Sequence, residues 1–372
     1  MENTEEAKTF EVVDRTPKPE KAPVPQNTVY YHSQIKKMRW IMLIFGLIYT
    51  FGLIPAVRGY STVILSFVPP AFFVISGYLV LRKSDDIEKR ILRTIKRTAL
   101  CFLILTVVYF LLSLLADKES TLEIITQKTF WTEFLLFNIW NLPIGSTIWY
   151  VQSLLYAYIF IYILYKLKLL KLDILFAVIF LAVTVLSGEL SAVIGFNFLG
   201  HTVLGGNFVT RAIPYILIGC FIHRKKRFFL SINKSSYVFY IFGIFVGTVL
   251  SLAEYYVLFI AEKLVYPGHM LGTVIVAVSA CCLCFFANSE NIRYDFFSNF
   301  TRFEIMIPFF VCSPVYYVFS EILKIDAKRG MESVSDISGL MTIFVSFLIF
   351  IVYAIIRAII RAIIRKIKNK KK

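Results

Sequence analysis

The chain has 372 residues, of which 58% are hydrophobic, with a mean hydropathy of +0.71 and a formal net charge of +16. Soluble domains average about 45–50% apolar residues, so the composition excludes an ordinary soluble fold and points to a polytopic membrane protein. The basic residues cluster between apolar runs, which fits the Lys/Arg bias of membrane loops and argues against nucleic-acid binding.

Residues 1–35 mix charges with Pro17, Pro19, Pro23 and Pro25 and contain no apolar signal-peptide core. They read as a disordered cytoplasmic tail. At about 20 apolar residues per span, ten spans follow: roughly 38–57, 62–81, 98–116, 148–165, 172–188, 208–223, 236–257, 270–288, 303–322 and 339–358. The expected class is therefore an all-α integral membrane protein of about ten transmembrane helices. Residues 36–360 form its membrane domain, and 361–372 a basic cytoplasmic tail.

Span two ends in Pro69-Pro70-Ala71-Phe72-Phe73-Val74-Ile75-Ser76-Gly77-Tyr78, and Arg82-Lys83 follow closely. A small polar pair between aromatics suits close helix approach better than a lipid-facing surface. Alternate loops carry the cations. Arg82, Lys83, Lys89, Arg90, Arg93, Lys96 and Arg97 precede span three, and Arg224, Lys225, Lys226, Arg227 and Lys234 follow span six. That alternation puts both termini in the cytoplasm. The outer stretch 117–147 carries Asp117, Glu119, Glu123 and Glu133, with aromatics at Trp131, Phe134, Phe137 and Trp140. Those rings suit an interfacial belt or the paving of an acceptor site. The six cysteines fall within spans, and Cys281-Cys282-Leu283-Cys284 lacks metal-site spacing, so no metal is expected. At the C-terminus, Arg357, Arg361 and Arg365 repeat along one side of a helix, as in an anchor for anionic lipid.

Four patterns occur in order: Arg39 at the start of span one, Phe72-Phe73-Val74-Ile75-Ser76-Gly77-Tyr78, Ile148-Trp149-Tyr150, and Arg211-Ala212-Ile213-Pro214-Tyr215 running to Gly219. Together they resemble the membrane acyltransferase-3 family, O-acyltransferases that decorate surface polysaccharides. The resemblance implies a plasma-membrane enzyme. It would move an acyl group, acetyl being the expected one, from cytoplasmic acyl-CoA to an extracytoplasmic hydroxyl of an envelope glycan. It also implies a donor path lined by Arg39, Ser76, Gly77, Arg93, Arg97, Trp149 and Arg211. Acyl-CoA is then a substrate, and no bound cofactor is expected. Topology alone is the other reading of Arg82, Arg90, Arg93 and Arg97, and it suffices for most of them. Arg211, inside a span, suits either a cavity or an ion pair with Glu254.

The family pattern places a histidine eleven residues after the span-one arginine, roughly 16 Å along a helix. Here that position is Thr50, flanked by Tyr49 and Phe51, and none of the three is a base at neutral pH. A further family histidine position in span nine falls at Cys312-Ser313. His201, His269 and Glu304 are the remaining candidates for a base. Two other readings stay open at this level: a glycan or small-solute transporter or flippase, and a catalytically silent homologue.

Overall fold

The computed structural model describes residues 27–51, 58–81, 86–145, 147–187, 207–233, 237–262, 270–286, 300–323 and 337–370. All regular structure among them is helical. The helices are α1 (Asn27–Phe51), α2 (Arg58–Leu65), α3 (Val68–Val80), α4 (Ile87–Ala116), α5 (Lys118–Thr126), α6 (Lys128–Thr132), α7 (Ile148–Lys166) and α8 (Asp173–Ser187). They continue with α9 (Phe208–Arg211), α10 (Ile213–Arg224), α11 (Lys226–Asn233), α12 (Tyr237–Ile260), α13 (Leu271–Phe286), α14 (Arg302–Ile305), α15 (Ile307–Tyr317) and α16 (Ile337–Lys370). Two π-turns extend α6 and α15.

Seven stretches among the described residues are long and apolar enough to cross a membrane: Tyr60–Val80, Ile87–Ala116, Ile148–Lys166, Leu169–Leu186, Tyr237–Ile260, Phe303–Ile322 and Ser338–Ile364. The other three expected spans are helical but differ from that pattern. Helix α1 carries Lys36, Lys37 and Arg39 in its middle. The span expected at 208–223 is broken at Ala212, between α9 and a twelve-residue α10 that starts with Pro214 in its first turn. Proline lacks the amide that would continue the helix backwards. Helix α13 has only sixteen residues. A helix enclosed by other helices need not match the thickness of a bilayer, because its ends meet protein rather than lipid. Helix α10 fits that condition, with Ile213 to Cys220 all buried. At the other end of the chain, α1 begins at Asn27, so residues 27–35, read from sequence as tail, are helical. Residues 1–26 lie outside the described part.

The centre is α3 against α10. Gly77 and Gly219 sit at their crossing. A Cβ at Gly77 would lie 2.0 Å from the Ile216 carbonyl oxygen, and one at Gly219 would lie 2.1 Å from the Val74 carbonyl oxygen. Only glycine at both positions lets the backbones meet. Thus Ser76-Gly77-Tyr78 and the Gly219-Cys220 stretch, separate motifs in sequence, are two halves of one helix contact. Tyr78 stacks on Phe285 of α13 at 4.0 Å between ring centroids, and Cys281 of α13 donates to the Ala71 carbonyl. Gly272 of α13 repeats the device against Gly247 of α12.

Helices α4 and α7 run antiparallel and are clasped at both ends. At one end Lys166 pairs with Glu88 at 2.6 Å, and Tyr162 also donates to Glu88. At the other, Tyr109 on α4 shares a hydrogen bond with Thr147 at 2.8 Å and donates to the Phe310 carbonyl of α15 at 2.7 Å. Asp86 caps α4 by accepting from the Lys89 amide. That bond and the Lys89 ammonium hold its carboxyl below the usual range.

The stretch 117–147 folds onto this second end. Phe130 and Phe134 are buried against Tyr109, Leu142 and Ile144, whereas Trp131 is exposed. Trp140 donates to the Ile144 carbonyl at 2.6 Å. Gly145, at φ +121°, has no room for a side chain beside the Trp140 indole. Buried Gln152 and Asn138 tie the segment to α7: Gln152 donates to the Phe134 carbonyl and Asn138 to Ser153. Phe130, Phe134 and Trp140 of this stretch are therefore packing groups.

Candidate functional site

A cavity of about 220 Å³ opens at the end of the bundle where α4 begins and α7 finishes. Its walls are Arg39 of α1, Ser76, Leu79 and Val80 of α3, Arg90, Thr94 and Arg97 of α4, Tyr158 of α7, and Thr301 and Phe303 at α14. Spacing explains the contribution of α4. Residues at i, i+4 and i+7 share a helix face, which puts Arg90, Thr94 and Arg97 in one row facing the cavity. Buried Ser76 and Tyr158 make the inner wall, while exposed Arg97 and Thr301 stand nearer the mouth. Among the described residues, three guanidinium groups line it and no acidic side chain does. Arginine presents a fixed fork of donors that matches phosphate or carboxylate oxygens. The arrangement therefore suits an anion, with hydroxyls from Ser76, Thr94, Tyr158 and Thr301 as further partners. Arg39 is only 7% exposed, a depth at which an isolated charge would be costly.

Thr301 and Phe303 are held in place from the α16 side. Thr301 and Glu304 form a capping box on α14. The Glu304 carboxylate also accepts from Tyr353 at 2.9 Å and pairs with Arg357 at 2.8 Å. Trp40, Phe300 and Phe350 cluster beside this lock, with Trp40 and Phe350 centroids 4.8 Å apart. Glu304, a candidate base from sequence, is thus a structural acceptor whose oxygens are already engaged.

The residues expected from sequence divide into groups. Arg39, Ser76 and Arg97 meet in the cavity. Gly77 forms the helix crossing just behind it. Arg93 is exposed on α4 and does not line the cavity. Trp149 and Arg211 lie together elsewhere, with the Arg211 guanidinium 5.3 Å from the Trp149 ring centre. Nine residues of α7 separate Trp149 from Tyr158, about 14 Å along the helix. Glu254, considered above as a partner for Arg211, accepts instead from the Gly272 amide. His201 and His269 fall outside the described residues. Arg90, Thr94, Tyr158, Thr301 and Phe303 complete the cavity. Sequence reading left Arg90 among topology charges, although its row with Thr94 and Arg97 was a visible signal.

Thr50 lies on α1 about 16 Å beyond Arg39. Its hydroxyl donates to the Gly46 carbonyl one turn back, at 2.8 Å. Phe51 beside it packs on Tyr316 of α15 at 5.1 Å, so the end of α1 runs alongside the helix bearing Cys312 and Ser313. There the Ser313 hydroxyl accepts from the Gly145 amide at 2.9 Å, and the Cys312 thiol donates to the Phe309 carbonyl. Thr50, Cys312 and Ser313 are thus short side chains bonded to backbone.

A family model described as an acyltransferase domain, the acyltransferase-3 domain, matches residues 29–360. The chain belongs to the acyltransferase-3 family. Searches of curated proteins and of solved structures give no match. The matched range starts within α1 and ends within α16, so it takes in every helix that lines the cavity. Family membership and the apolar helices establish a membrane acyltransferase in general terms.

Proposed function

We propose that this acyltransferase-3 protein receives acyl-CoA from the cytoplasm in the Arg39–Arg90–Arg97 cavity. It passes the acyl group, acetyl being the simplest, to a hydroxyl of a cell-envelope glycan across the plasma membrane. The carrying observation is the convergence of three arginines from α1 and α4 on one cavity at the Ser76-Gly77 end of α3. A pocket of about 220 Å³ is smaller than the roughly 300–1,000 Å³ of a typical small-molecule site. It suits the phosphate-bearing arm of a thioester donor, with the nucleotide at the mouth.

In the reaction, the acceptor oxygen bonds to the thioester carbonyl carbon and the carbon–sulfur bond breaks. The hydroxyl proton leaves to a base, and the departing thiolate is protonated to coenzyme A thiol. Arginines at the donor phosphates orient the thioester. A base beside the acceptor hydroxyl takes that proton. Thr50 cannot serve and Glu304 is engaged by Arg357 and Tyr353, which leaves His201 and His269 as candidates.

A catalytically silent homologue is the second reading, favoured by the Thr50 hydroxyl bonded to its own helix. One comparison separates the two: the O-acyl content of envelope glycans in cells with and without the gene, beside acyl-CoA binding by the purified protein. Transfer predicts that acyl content falls on deletion and returns with the wild-type gene, not with Arg39→Ala. Binding with unchanged acyl content in every envelope polymer identifies the silent homologue, and absence of acyl-CoA binding by the purified protein rules out the donor assignment.

A further inference from the structure

We infer that the end of α16, Ala358–Lys370, is a docking surface for an anionic phospholipid layer. This goes beyond the transferase reading and does not depend on it. The chain here repeats Ala-Ile-Ile-Arg three times, from Ala354 to Arg365. At about 100° per residue, Ile359, Ile360, Ile363, Ile364 and Ile367 share an arc of about 140°. Arg357 and Arg361 fall beside that arc. Each of the five isoleucines is about half exposed, between 48% and 54%.

Helix length decides where this face lies. The apolar stretch Ser338–Ile364 has 27 residues, about 40 Å of helix, against a hydrocarbon core of about 30 Å. The excess falls at the C-terminal end. The Tyr353 and Arg357 bonds to Glu304 mark the approach to that boundary. Charged groups are costly in the hydrocarbon core, so that ion pair favours the level of the interface. Beyond it α16 continues for about 20 Å, so a straight helix would carry the isoleucine face into water.

Charge selects the occupant. Arg361, Arg365, Lys366, Lys368, Lys370, Lys371 and Lys372 follow Arg357, and no acidic residue occurs after Asp336. Two copies packed through this face would bring like charges together. An anionic headgroup layer meets the cations and the isoleucines at once. Arg357 is engaged by Glu304, so lipid recognition begins at Arg361.

The test uses the full-length protein, one copy per nanodisc, in phosphatidylcholine alone and in phosphatidylcholine with phosphatidylglycerol, read by amide hydrogen exchange. Docking predicts slower exchange over 358–370 in the anionic discs. The seated population should change about fivefold for each engaged cation, with 338–350 unchanged. High salt should erase the difference, and Arg361→Gln, Arg365→Gln and Lys368→Gln should each reduce it. Equal exchange in both lipids overturns the inference. So does protection that ignores lipid charge and arises only with two copies per disc, which would assign the face to self-association.

Discussion

Two kinds of helix in this protein are both long and apolar enough to cross a membrane yet do opposite work. The stretch Tyr60–Val80, which contains α3, has a mean hydropathy of 2.1 and is 72% buried within the protein. Ile87–Ala116 and Ser338–Ile364 each have a mean hydropathy of 2.7 and are 11% buried. Leu103 on α4 and Phe344 on α16 turn most of their side chains outward. Hydropathy reports that a helix belongs in the membrane but not whether it faces lipid or protein. In lipid, apolar surface gains little by leaving one hydrocarbon environment for another, so close packing selects the inner helices. Small residues make that packing possible, and Gly77 and Gly219 are where it is tightest. Two of the little-buried helices, α4 and α16, are also long, and their excess length carries charge: Arg90 and Arg97 into the cavity, Arg361 and its successors beyond it.

The largest expected effect tests that division directly. Gly77→Ala or Gly219→Ala puts a methyl against a facing carbonyl and should cost on the order of 3 kcal/mol, read as a lower unfolding midpoint in detergent. Leu103→Ala, 59% exposed on α4, should change stability by no more than about 0.5 kcal/mol. Equal losses at the two places would erase the distinction.

Next comes the row on α4. Arg97→Ala should weaken acyl-CoA binding about tenfold or more, the loss expected for a charge-assisted contact, as measured by calorimetry. Arg93→Ala, four residues away and outside the cavity, should leave it within about twofold. If Arg93 mattered as much as Arg97, general positive charge rather than the cavity would explain donor binding.

A smaller change is expected at the lock between α14 and α16. Glu304→Gln removes the charge that holds Arg357 and should lower stability on the order of 1–2 kcal/mol. Tyr353→Phe should lower it by less, both followed by thermal unfolding. The smallest effect is at the start of α4, where the Asp86 carboxyl is held below its usual range by the Lys89 amide. A depressed folded-state pKa means that its contribution is present above the ordinary carboxylate range. The contribution is lost as pH falls through the folded value. Asp86→Ala should therefore lower the thermal unfolding midpoint slightly at neutral pH and leave it nearly unchanged at low pH, which flattens the acid limb of the stability profile.

Several features were legible before folding. Apolar runs of sufficient length marked α3, α4, α7, α8, α12, α15 and α16. The ordered motifs marked the acyltransferase-3 family, whose model covers residues 29–360. Other features were hidden because they depend on partners far along the chain. Arg90 looked like one loop charge among many until α1, α3 and α14 closed around it. Glu304 looked available as a base until Arg357 and Tyr353 of α16 reached it. The short helices α10 and α13 read as ordinary spans, since a residue string does not say whether its ends meet lipid or other helices.

By itself, the sequence determined the membrane environment, the helical class and the family. Each of these is written in local composition and in motifs a few residues long, and water and lipid act on such segments directly. Only the tertiary structure decided which helices lie inside, which arginines share a cavity, and that the Ser76-Gly77 and Gly219 motifs form one contact. Those depend on backbones approaching within van der Waals distance across the fold. No property of an isolated segment encodes that approach.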